Sequence, residues 1–159
     1  MLTINISISD QRLYLFSESF LIKKYPISTA IKGVGEQKNS AQTPRGKHLI
    51  RAKIGHNLPL NSVLVGRRVT GEIFSSALQQ QYPNRDWILT RILWLSGLEK
   101  GKNRLGACDT MQRYIYIHGT PDTEPMGVVL SHGCIRMRNE SIIELFDKVP
   151  VGTIVCIQE

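Results

Sequence analysis

Two histidines, a cysteine and an arginine fall within the stretch 114–137, YIYIHGTPDTEPMGVVLSHGCIRM, and their spacing is the first chemical signal in the chain. His118 is followed by Gly119. Cys134 is preceded by Ser131, His132 and Gly133 and followed two residues on by Arg136. A free thiol has a pKa of about 8.5, so only a few per cent is thiolate at neutral pH. An adjacent imidazole raises that fraction by pairing with the thiolate, and it can later protonate a leaving amine. Gly133 lets the backbone approach closely, and the amides of Gly133 and Cys134 are candidates for an oxyanion site. One such donor is worth about 3 kcal/mol in the transition state. Ser131 can fix the turn or a neighbouring imidazole, and Arg136 offers a forked donor to a substrate carboxylate. Two other readings stay open on these residues alone. Cys134 could be a small core residue, or a zinc ligand with His118 and His132, although no C-x-x-C or H-E-x-x-H spacing accompanies them.

The elements that must position these groups are short and mostly extended. In YIYIH, period-two alternation puts Ile115 and Ile117 on the core face and Tyr114, Tyr116 and His118 on the opposite, accessible face. The same alternation after Ser131 groups His132, Cys134 and Arg136 against Ile135 and Met137. Upstream, Leu2, Ile4, Ile6 and Ile8 alternate with polar residues, and LYLF (13–16) and FLIKKYPI (20–27) continue as a meander. Residues 32–47 read as a long polar connection. Their GVGEQK lacks the spacing of a phosphate loop. HLIRAKI (48–54), SVLVGRRV (62–69), WILTRILWL (87–95), YIYI (114–117), GVVL (127–130) and TIVCI (153–157) complete the strand candidates. FSSALQQQY (74–82) is a candidate short helix ended near Pro83. A second helix has Asn139 or Ser141 as its cap, with Ser141 and Glu144 at capping-box spacing. Its apolar stripe is Ile142, Leu145, Phe146 and Val149. The pattern predicts a mostly-β barrel or sandwich with one or two short helices, built as a single domain over residues 1–159.

Composition narrows the function classes. Twenty basic against thirteen acidic side chains give a net charge of +7, but the cations are scattered and match no nucleic-acid-binding motif. They suit a small acidic substrate. No apolar run approaches the roughly 20 residues of a membrane span. The N-terminal residues read as a core strand rather than a leader, so the expectation is a cytoplasmic protein, or a periplasmic one if a preceding segment has been removed. The three cysteines, 108, 134 and 156, are expected to be free thiols, with Cys156 a small buried hydrophobe and Cys108 in a loop or at a strand edge.

HGTPDTEPMGVVLSHGCIRM resembles the signature of the L,D-transpeptidase (YkuD-type) family: His-Gly, a spacer, then Ser-His-Gly-Cys followed by Arg. INISISDQRLYLFSESFLIKKYPIST is similar to the opening strands of that family, and TPRGKHLI to its Thr-Pro-x-Gly stretch. The resemblance implies a mostly-β, barrel-like catalytic domain without a metal or other cofactor. It makes Cys134 the nucleophile, His118 the general base and acid, and the Gly119 carbonyl the group that orients the ring. Gly133 and Cys134 would line the oxyanion hole, and Ser131, His132 and Arg136 would shape the substrate site. The implied reaction attacks the L-centre of diaminopimelate in a peptidoglycan stem peptide and expels the terminal D-Ala. An amine acceptor then gives a cross-link or an exchanged D-amino acid, and water gives a tripeptide. Carbapenem-type β-lactams are the implied covalent inhibitors. Two features depart from the family pattern: Ser28-Thr29-Ala30 stands where Ser-Thr-Gly is usual, and no export segment is visible. The leading expectation is therefore a cytoplasmic L,D-carboxypeptidase acting on recycled muropeptides. The alternatives are an L,D-transpeptidase and, from a different class, a non-catalytic muropeptide-binding protein.

Overall fold

A computed structural model describes residues 1–159. The chain begins with β1 (Leu2–Ser7) and β2 (Arg12–Ser17), an antiparallel hairpin in which Ile4 faces Leu15 and Ile6 faces Leu13. All four are fully buried, as strict alternation requires. β3 (Phe20–Ser28) returns beside β2, and β4 (Gly46–Ile54) follows the long connection. The strand read at 62–69 is a hairpin instead: β5 (Ser62–Val65) and β6 (Arg68–Ile73) flank Gly66 and Arg67. Both turn residues have positive φ, which folds an apparently continuous apolar run back on itself. After α1 (Ser76–Gln81) come β7 (Ile88–Gly97), a 3-10 turn at Gly106–Cys108, β8 (Tyr116–Thr120), β9 (Ile135–Arg138), α2 (Asn139–Lys148) and β10 (Ile154–Gln158).

The strand order β4-β10-β1-β2-β3-β9-β8-β7 closes into an eight-stranded barrel because β7 also pairs with β4, while β5 and β6 extend from β7. The main core joins Ile4, Ile6, Leu13, Leu15, Ile117, Ile135 and Met137 to Ile142, Leu145 and Phe146 of α2 and to Val149 at its C-terminal cap. Burying each such side chain stabilises the fold by about 2 kcal/mol. The helical stripe read from the sequence is thus the buried one.

Three local expectations are corrected. GVVL is not a strand: the Gly127 amide bonds to the Ile27 carbonyl and those of Leu130 and Ser131 to the Thr29 carbonyl, leaving Val128 and Val129 exposed. The run lies along the end of β3 without forming a ladder. The capping box is absent as well: α2 starts at Asn139 with no side-chain cap, and Glu144 accepts from the Tyr25 hydroxyl at 2.6 Å. Cys156 is half-buried on the outer face of β10, whose core residues are Val155 and Ile157. Cys108 is buried in the 3-10 turn, where its thiol bonds to the Leu105 carbonyl.

Candidate active site

β8 and β9 are parallel neighbours, with Ile117 opposite Ile135 and His118 opposite Arg136. Parallel strands require a crossover, and residues 121–134 provide it. Tyr114 is not part of β8: it has a positive φ and ends the preceding loop. Ile117, Ile135 and Met137 all enter the main core. The opposite face is also packed, because Leu64 of β5 and Ile92 of β7 cover Tyr116, with Trp94 and Cys134 against them. His118 therefore projects away from the isoleucines, as alternation predicts, but is only 1% exposed rather than accessible.

On this face the Cys134 sulfur sits beside the first residue of β8. It accepts from the Tyr116 amide at 3.3 Å and lies 3.4 Å from the Tyr114 carbonyl. His118 follows Tyr116 by two residues on β8 and shares its face, so the imidazole and the thiol lie on the same side of the β8–β9 pair. Nδ1 of His118 is 2.6 Å from the Gly119 carbonyl. A carbonyl only accepts, so Nδ1 carries the proton and Nε2 keeps its lone pair in the neutral ring. Burial lowers the His118 pKa below the usual histidine value, and the Gly119 bond and Asp86 oppose this only in part. Burial likewise pushes the Cys134 thiol up to about 12, against the Tyr116 amide and the cations of Arg136 and Arg113. Burial thus favours the neutral form of both thiol and imidazole over an ion pair.

The turn before β9 is fixed from several sides. The Ser131 hydroxyl donates to the Cys134 carbonyl at 2.6 Å and accepts from the Gly133 amide at 3.2 Å. Gly133 is thereby engaged, whereas the His132 and Cys134 amides make no such bond. Gly133 has φ +131°, and a Cβ there would crowd the Gln42 carbonyl and Ile115. Thr43, fully buried, donates to the Gly133 carbonyl and accepts from the Ala30 amide, each at 3.0 Å. Ser28, Thr29 and Ala30 are buried as well, and the Thr29 carbonyl holds the Leu130 and Ser131 amides. In this chain that stretch braces the turn.

Gly119 is demanded by a neighbour that sequence reasoning took for a helix cap. Asn139 is fully buried; it accepts from Thr90 at 2.6 Å and donates to the Thr120 carbonyl, Asn61 and Asp122. A Cβ on Gly119 would come within 2.4 Å of Asn139 Oδ1 and 2.5 Å of the Leu89 carbonyl. Thr43 and Asn139 carried no local signal of these roles, because their partners lie far away in the chain.

His132 is exposed and lines two grooves. One of about 400 Å³ contains Lys38, Arg113 and Tyr114, and the other, of about 180 Å³, contains Asp86, Thr120, Glu124 and Arg136. Arg113 pins the long connection by donating to the Gln42 carbonyl at 2.6 Å and the Ser40 hydroxyl at 3.2 Å. The arrangement provides a base, a thiol, a free amide donor and flanking cations, which is the equipment of acyl transfer to and from sulfur.

Comparison with known proteins agrees on the family. Residues 2–157 match the model of the L,D-transpeptidase catalytic domain, YkuD. A putative L,D-transpeptidase YkuD of Bacillus licheniformis is 28% identical over 97% of this chain and 64% of its own length. A solved L,D-transpeptidase from Mycobacterium smegmatis superposes with a TM-score of 0.58 at 18% identity, over 99% of this chain and 58% of its own. L,D-transpeptidase 3 from Mycobacterium tuberculosis, solved with a faropenem-derived adduct, gives 0.59 at 16% identity, over 99% and 60%. The chain spans less than two thirds of each of these relatives, and the two structures speak for the fold alone. With the family model matching nearly end to end, the chain belongs to the L,D-transpeptidase (YkuD-type) catalytic-domain family.

Proposed function

We propose that the protein is a cysteine-dependent L,D-carboxypeptidase that removes the terminal D-Ala from peptidoglycan tetrapeptide stems during cytoplasmic cell-wall recycling. The observation that carries the reading is His118, held through Nδ1 by the Gly119 carbonyl and sharing a face with the Cys134 thiol. As sulfur attacks the carbonyl of the diaminopimelate L-centre, Nε2 of His118 takes the thiol proton. The Cys134 amide donates to the developing oxyanion. Collapse breaks the peptide bond, the imidazolium gives its proton to the departing D-Ala amine, and a thioester remains on Cys134. Water, deprotonated by the same ring, attacks the thioester; thiol and tripeptide carboxylate are released. Lys38, Arg113 and Arg136 around the grooves suit stems that carry several carboxylates.

A second reading, transpeptidation or exchange of the terminal D-amino acid, is favoured by the presence of two grooves that meet at His132, two residues from Cys134. Mass analysis of a soluble tetrapeptide incubated with the protein, with and without D-Met, separates the two. Tripeptide as the dominant product in both samples supports carboxypeptidation; a Met-exchanged or dimeric product replaces it with the second reading. Undiminished turnover by Cys134→Ala would overturn the mechanism itself. A carbapenem such as imipenem is expected to acylate Cys134 by the same attack on its lactam carbonyl; one structural neighbour was solved in complex with imipenem and another with a faropenem-derived adduct.

A further inference from the structure

Arg136 stands directly opposite His118 in the β8–β9 register, so a cation is built beside the ring that must itself become cationic. Left alone, it would disfavour the protonated form of the ring. The compensating charge comes from outside the two strands. Asp86, in the segment joining α1 to β7, accepts from Nη2 of Arg136 at 3.2 Å, with the Arg136 side chain only 11% exposed. That segment is anchored on both sides of Asp86. Arg85 is bonded to Glu72 at 2.6 Å and stacked over the Trp87 ring at 4.7 Å. Trp87 is itself buried against Phe74, Val63 and Leu89. The Asp86 carboxylate is therefore delivered to Arg136 by a packed scaffold and not by a loose surface loop.

We propose that Asp86 is a positioning residue of this site: it pins and neutralises the Arg136 guanidinium, leaving the other N–H groups of Arg136 to receive a substrate carboxylate in the groove shared by Thr120 and His132. The proposal rests on the thiol acyl-transfer reading and adds the device that lets one arginine serve as carboxylate anchor without disabling its neighbouring base. The charged and titratable groups acting on the pair are Asp86, Arg136 on β9 and, at the thiol, Arg113 from the loop before β8 and the Tyr116 phenol on β8. Asp86 raises both the His118 and the Cys134 pKa, and Arg136 lowers both. Without the carboxylate, the thiol ionises more readily while the ring becomes a poorer base.

The two consequences have opposite signs, and that makes the test specific. Alkylation of Cys134 by neutral iodoacetamide is followed by mass between pH 7 and 10, with Cys134→Ala as background for the other thiols. Acylation by imipenem, which carries a carboxylate, is followed in parallel. In Asp86→Asn, alkylation is expected to be about threefold faster at each pH, a displacement of about half a unit to lower pH. Imipenem acylation should fall about tenfold at pH 7, and Asp86→Glu should restore most of both. Unchanged rates, or rates that fall together with the unfolding midpoint, overturn the proposal. If His118→Asn leaves wild-type acylation unaffected, the acyl-transfer reading fails first and takes this proposal with it.

Discussion

Burial favours the neutral form of both members of the His118–Cys134 pair, and this sets the expected pH behaviour. The ring has a pKa below the ordinary histidine value, so it is neutral and able to accept a proton throughout the physiological range. The thiol is pushed up to about 12, so in the proposed mechanism it ionises only as the ring takes its proton during attack. Imipenem acylation should therefore rise through an acid limb below pH 6.5 and stay level past pH 9. Iodoacetamide alkylation, which needs preformed thiolate, should stay slow at neutral pH and climb above pH 9. Fast, flat alkylation from pH 6 upward would instead reveal a standing thiolate–imidazolium pair. At this scale the sequence carried much of the site. Cys134, His118 and Arg136 stand out by type and spacing, and the family resemblance implied the Gly119 carbonyl as the group that orients the ring. The protonation state was not legible, because it depends on Leu64, Ile92 and their neighbours covering a face that alternation marks as open.

Among the elements, the parallel β8–β9 pair does the placing, and its crossover turn is held by residues from elsewhere. Thr43 is the plainest case, since its hydroxyl satisfies the Ala30 amide and the Gly133 carbonyl at once. Thr43→Val keeps the shape but strands both groups, at a cost of about 1–3 kcal/mol each. Urea unfolding should show a loss of about 2 kcal/mol or more, with imipenem acylation slowed further than stability alone explains; Thr43→Ser should recover both. A valine variant matching wild type in both measurements would remove Thr43 from the account. Periodicity found α2 and most strands because each has one buried stripe. It failed at SVLVGRRV, where Gly66 and Arg67 reverse the chain, and at GVVL, where hydrogen bonds to Ile27 and Thr29 hold an apolar run in an irregular path. It also misread Asn139, whose side chain serves a buried hub and not the helix end.

The whole barrel closes where β4 meets β7 and β10, and a buried histidine lies on that seam. His48 is fully buried, with Nδ1 donating to the Gly46 carbonyl at 3.0 Å and Nε2 accepting from Thr110 at 2.9 Å. Desolvation lowers its pKa to about 4. The unfolded chain, at about 6.5, then binds the proton more readily, so stability is complete above pH 6.5 and drains away as pH falls towards 4. The loss assigned to His48 is about 3 kcal/mol over that window. Urea midpoints for His48→Gln should decline less steeply with acid than those of wild type; parallel slopes would contradict the assignment. The mostly-β class was legible from alternation, but closure was not, because the β4–β7 pairing joins segments about 40 residues apart with no local turn to mark it. The central claim concerns Cys134 as acyl carrier. Its most direct test is the intact mass of the protein quenched during turnover of a tetrapeptide stem. A tripeptidyl adduct on Cys134, formed with loss of D-Ala and absent from Cys134→Ala and His118→Asn, is the predicted result. Release of D-Ala with no adduct on wild type, and at equal rate by Cys134→Ala, would contradict it.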